Sequence, residues 1–132
     1  MSVGGNDFPS GEAVPGDAGT RKSLRDALAE AVAAHRAGRL DDAERIYRAI
    51  LETKPEHFDA LHMLGVARLQ KRRFTEARRL IEAALAIDPR SADAHCHLGN
   101  VLGALGENEK AIESYERALA IKAKHVNASA RS

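Results

Sequence analysis

One spacing dominates this chain. Ala43, Ala77 and Ala111 recur every 34 residues, as do Tyr47, Ile81 and Tyr115, and again Leu51, Leu85 and Leu119. Pro55 and Pro89, Leu64 and Leu98, and Gly65 and Gly99 keep the same interval, and Asp59-Ala60 returns as Asp93-Ala94. A repeat of this length is one supersecondary unit that cannot bury its apolar side alone and does so by stacking on its neighbours. Three units fit, at about residues 24–57, 58–91 and 92–125. That is near the minimum for an independent stack.

Each period reads as helix, turn, helix. In the middle unit Leu61, Leu64, Gly65 and Arg68 follow i, i+3, i+4, i+7 spacing, with Arg68 an unexpected member. Lys71-Arg72-Arg73-Phe74 makes the turn, and Thr75 is the expected N-cap of the second helix. Ala77, Leu80, Ile81, Ala84 and Leu85 form its apolar stripe, and Asp88-Pro89 stops it. Gly65 and Gly99 let a neighbouring helix approach closely, while Gly38 and Gly106 sit in turns where a positive φ suits glycine.

Composition agrees. Aromatics are only 4% and Trp is absent, so the core is built from Ala, Leu, Ile and Val. Those residues suit close helix packing. The net charge of +1 supplies no global attraction to nucleic acid or anionic membrane. A single cysteine, Cys96, excludes an internal disulfide framework and points to a reducing, cytoplasmic setting. No apolar run is long enough to span a bilayer, and the N-terminus lacks the pattern of a signal peptide. Residues 1–20, rich in Gly and Pro, read as a disordered tail ahead of a domain at 21–125, with 126–132 a short C-terminal tail.

The repeat resembles the tetratricopeptide family in a Leu-Gly pair, two small residues, a large apolar residue and a terminal Pro. Leu64-Gly65, Ala77, Ile81, Ala84 and Pro89 match in the middle unit; Leu98-Gly99, Ala111, Tyr115 and Ala118 match in the third. The departures are Glu30-Ala31 in place of Leu-Gly in the first unit and Ala123 in place of Pro in the third, where the last helix need not stop. The resemblance implies an all-α fold, a right-handed superhelical stack of helix pairs. It also implies a concave groove lined by the first helix of each pair, and a role as an adaptor or scaffold that binds a protein or peptide rather than as an enzyme.

The face that such a groove would present carries Arg25, Ala29, Val32 and Arg36 in the first unit. The second contributes Asp59, His62, Met63, Val66 and Gln70, and the third Asp93, Cys96, His97 and Asn100. This mixture of apolar and polar groups suits a peptide or helix laid into it, and packing between repeats is the lesser reading of Val32, Met63 and Val66. Relatives that clamp the C-terminal carboxylate of heat-shock chaperones use Lys, Asn and Arg. The matching positions here are Leu28, Val32, Met63, Asp93 and His97, and Asp93 would repel a carboxylate. That ligand is therefore not expected.

Other chemistry is weaker. His95, Cys96 and His97 are too close in sequence to point one way from a helix, and although His62 and His97 can meet across neighbouring helices, a closed zinc site needs four ligands. No metal and no cofactor is expected. Arg68, Lys71, Arg72, Arg73, Arg78 and Arg79 form a basic run that would suit phosphates, yet acids such as Glu107, Glu109 and Glu113 can pair with it. Nucleic-acid binding is thus the lesser alternative. No nucleophile motif, phosphate loop or paired-carboxylate site is present. The first alternative is a targeting or assembly module at the front of a longer repeat-bearing enzyme such as a bacterial transferase. Finally, Ala111, Ile112, Tyr115, Ala118 and Leu119 on the last helix have no following repeat to cover them, which points to a homodimer through that end or to a longer chain.

Overall fold

The computed structural model describes residues 23–131, with side chains described to residue 125. The tail expected at residues 1–20 lies outside them. Six helices follow in order: α1 Leu24–Arg36, α2 Leu40–Thr53, α3 Phe58–Gln70, α4 Phe74–Ile87, α5 Ala92–Ala104 and α6 Asn108–Arg131. No strand occurs among the described residues. The pairs α1/α2, α3/α4 and α5/α6 are the three units, and each packs on the next through α2·α3 and α4·α5.

The first helices begin at polar caps. Ser23, His57 and Ser91 accept from the backbone N–H of Asp26, Ala60 and Ala94, satisfying one of the donors left free at each helix start. The second helices begin differently. Arg73, not Thr75, holds the N-cap position of α4, and it makes no side-chain capping bond. The tight turn supplies the reason: Arg73 N–H donates back to the Arg68 carbonyl at 2.8 Å, so the chain is already turned when α4 starts. Gly38, Arg72 and Gly106 occupy the same place in this turn, with φ of 84°, 64° and 85°. Arg72 therefore adopts a left-handed conformation that favours glycine, and its guanidinium lies 5.6 Å from the centre of the Phe74 ring.

The core is made mostly of small side chains. Ala27, Ala31, Ala43, Ala60, Ala67, Ala77, Ala84 and Ala94 are all fully buried, with Tyr47, Ile50, Ile81 and Val101 as the largest fully buried groups. A first cluster joins units one and two, and a second joins α4 to α5 and α6. Gly65 is where α3 meets α4: a Cβ there would lie 2.6 Å from Ile81 Cγ1 and 3.3 Å from the Ala77 carbonyl oxygen.

Asp88 caps the end of α4, as the following proline requires. With Ala123 where unit two has Pro89, nothing turns the chain, and α6 runs on to Arg131. The stretch from 126 to 131, within the expected short C-terminal tail, is helical backbone.

Candidate functional site on the inner face of the first helices

Curvature follows from which helices touch. α1 packs on α3 and α3 on α5, while the second helices make no comparable contact with one another. The first helices therefore lie on the inside of the curve, and the face they share is its concave side.

Two side-chain bridges run along this face, each linking residues 35 apart. His35 Nε2 meets Gln70 Oε1 at 2.6 Å, and His62 Nε2 meets His97 Nδ1 at 2.9 Å. The interval is one more than the repeat, because successive first helices are offset so that a residue lies beside the one following its own equivalent. His35 is held from behind by Tyr47, whose hydroxyl is 3.1 Å from Nδ1 and whose titration burial pushes up to about 12.

The imidazole of His62 is only 7% exposed. Burial above all, and then the neighbouring His97, pushes its pKa down to about 4, against the opposing pull of Asp93 and Asp59. Burial also lowers His97, with Asp93 acting against it. At neutral pH both rings are uncharged, so one donates its single ring N–H and the other accepts. Phe58 stands against His62 with ring centres 5.7 Å apart.

The expected face residues divide into two layers. Val66 and His62 are buried, and Met63 is half-buried against the first core cluster, so these three belong to the floor and to the packing between units. Val32, Cys96 and His97 are partly covered. Arg25, Ala29, Arg36, Asp59, Gln70, Asp93 and Asn100 are exposed. Arg25 and Arg36 lie in unit one, and the carboxylates Asp59 and Asp93 lie in units two and three, so charge changes sign along the groove. Asn100 is also anchored, since Tyr115 donates its hydroxyl to Oδ1 at 2.5 Å.

The basic run is largely engaged within the fold. Arg68 pairs with Glu44 at 3.1 Å and with Glu76, and Lys71 with Asp41 and, at 3.0 Å, with Glu44. Arg78 meets Glu107 at 2.7 Å. Glu44 is 5% exposed and joins unit one to unit two. Sequence reasoning missed this carboxylate, because a lone Glu beside Ala43 reads as surface until Arg68 and Lys71 are seen to converge on it. His35 was missed for a related reason: its partner Gln70 becomes a neighbour only through the 35-residue offset. No group of three or more metal-ligating side chains comes together among the described residues. No helix among them is long and apolar enough to cross a membrane.

The tetratricopeptide repeat family model matches twice, over residues 28–91 and 62–126. The chain belongs to the tetratricopeptide repeat family. Among solved structures, a Thermobaculum terrenum O-GlcNAc transferase is 35% identical with a TM-score of 0.73; the match covers 74% of this chain and 19% of that one. MamA is 27% identical with a TM-score of 0.71, covering 76% of this chain and 58% of that one. The second tetratricopeptide domain of Spaghetti, solved bound to the HSP90 peptide SRMEEVD, is 16% identical with a TM-score of 0.72, covering 76% of this chain and 93% of that one; it shares the fold. No curated protein matches in sequence. This chain therefore spans only part of the length of the first two solved relatives.

Proposed function

We propose that this chain is a protein-interaction module that holds a peptide or protein segment along the concave face of α1, α3 and α5. The supporting observation is the row of exposed polar groups, Arg25, Arg36, Asp59, Gln70, Asp93 and Asn100, standing over a floor of buried Val66 and half-buried Met63. A rigid apolar floor with convergent polar groups is the composition of a recognition groove. Its charge order favours a segment that offers acidic residues to Arg25 and Arg36 and basic residues to Asp59 and Asp93, since complementary charges set register and suppress wrong partners. Selection of a random peptide library on the chain tests this. Enriched peptides should carry that charge order and lose binding to Asp59→Lys/Asp93→Lys. Peptides that bind the double variant undiminished would place recognition on another surface.

The 35% identity to the transferase favours a second reading, that of a targeting or assembly module within a longer enzyme. The native reading frame decides between the two.

A further inference from the structure

The bridge between His62 and His97 stands at the junction of units two and three and has no counterpart at the first junction, where the residue 35 before His62 is Ala27. A hydrogen bond between two neutral imidazoles needs one bare ring nitrogen as acceptor. The pair therefore has a defined proton capacity. One added proton makes an imidazolium that still donates to the neutral ring, so the bridge survives. A second proton removes the acceptor, sets N–H against N–H and breaks the bridge.

His97 meets the first proton, because its ring is partly covered where that of His62 is buried. Two carboxylates flank the pair. Asp59 on α3 and Asp93 on α5 occupy equivalent positions of successive units, and both are exposed on the groove. Both favour charge on His62, and Asp93 favours it on His97. No charge from α1, α2, α4 or α6, the other helices packed on α3 and α5, acts on either ring among the described residues. Burial outweighs the carboxylates and holds both rings below the ordinary 6.5, so the pair is neutral at pH 7 and charges only below that value.

We propose that the first proton taken up by the His62–His97 pair competes with a basic residue of the bound segment for Asp59 and Asp93, so that the groove loosens its hold as the medium turns acidic. This rests on the groove reading above. An imidazolium beside Asp93 cancels part of the field that holds the partner's ammonium or guanidinium group, and the two cations repel. Because the bridge survives the first proton, the loosening requires no unfolding of the stack. Linkage makes the effect reciprocal: a bound cation lowers the proton affinity of His97 by the same factor.

The probe is a histidine-free peptide from the library selection, with acidic then basic residues and blocked termini. Fluorescence anisotropy reads its affinity from about pH 7.5 to about pH 5, a range in which ordinary carboxylates stay charged, with circular dichroism confirming the fold at each pH. Affinity should be level above pH 6.5 and weaken roughly three- to tenfold below it. The NMR titration midpoint of the His97 ring should move down by the same factor when the peptide is saturating. His97→Gln keeps an amide that can donate to His62 but removes the proton site, and its affinity should be level throughout. Selection that yields no peptide dependent on Asp59 and Asp93 would overturn the groove reading and this proposal together. Binding that is equally tight at both ends of the range would overturn this proposal alone. So would a His97 midpoint indifferent to peptide, or a loss of affinity that persists in His97→Gln.

Discussion

Gly99 lies against the ring of Tyr115 so closely that a Cβ would fall 2.6 Å from Cε1 and 2.8 Å from Cδ1 and Cζ. The pair repeats the Gly65–Ile81 contact one unit later, with one difference. Ile81 is fully enclosed, and the backbone carbonyl of Ala77 also stands 3.3 Å from the Cβ that Gly65 would gain, while Tyr115 is open to solvent on one side. Gly65→Ala should therefore destabilise by about 1–3 kcal/mol through overpacking. Gly99→Ala should stay within about 1 kcal/mol of the parent, because the ring can yield outward and alanine is the better helix former. Urea unfolding of the two variants measures the contrast; equal losses would show that the end of the stack is as tightly held as its middle.

Glu44 binds units one and two through Arg68 and Lys71. Glu44→Ala leaves a largely buried guanidinium with Glu76 as its remaining partner. Full loss of a buried partner costs about 3–5 kcal/mol; the surviving Glu76 and Asp41 contacts reduce this to roughly 1–3 kcal/mol. Chemical denaturation of Glu44→Ala and of the Arg68→Met/Glu44→Leu pair checks it, the double variant being expected to recover much of the loss.

His62 sets an acid limit. Its folded pKa, about 4, lies below the ordinary 6.5, so the unfolded chain takes up a proton that the folded chain resists. The stabilisation is complete above about pH 6.5 and is lost as pH falls from there towards 4. Its full size is at most about 3 kcal/mol. Unfolding free energies measured between pH 7 and pH 4 should fall in the parent and change much less in His62→Leu. Parallel pH profiles for the two proteins would refute this origin.

Arg72 sits where the other two turns have glycine, at φ 64°. Arg72→Gly should gain about 0.5–1 kcal/mol, the relief of left-handed strain exceeding the lost contact with Phe74 and the extra freedom of the unfolded chain. A lower melting temperature would show that the ring contact is the larger effect.

The two layers of the groove should separate in mutants. Met63→Glu puts a charge against the first core cluster and should cost about 1–3 kcal/mol of stability. Asp59→Lys and Asp93→Lys, both exposed, should cost less, up to about 1 kcal/mol each, from reversing a charge in the first turn of α3 and of α5. Thermal melts distinguish them; a neutral Met63→Glu would move that side chain from the floor to the rim.

The chain's own pattern was sufficient for the architecture. The 34-residue interval of Ala43, Ala77 and Ala111 and the helical stripes between Pro55 and Pro89 specify three helix pairs, because periodicity and helix stops are local properties of sequence. Even the left-handed turn was marked at Gly38 and Gly106, and its extension to Arg72 required only the period. Tertiary structure alone decided which side chains of the first helices remain available. His62, Met63 and Val66 lie on the same stripe as Asp59 and Gln70, yet the curvature of the stack and the 35-residue offset between neighbouring helices press the former inward and leave the latter exposed. The burial of Glu44 was decided in the same way. A helical stripe defines a face relative to its own axis, but how much of that face survives is set by the distance and angle of the next helix, which no single segment of sequence encodes.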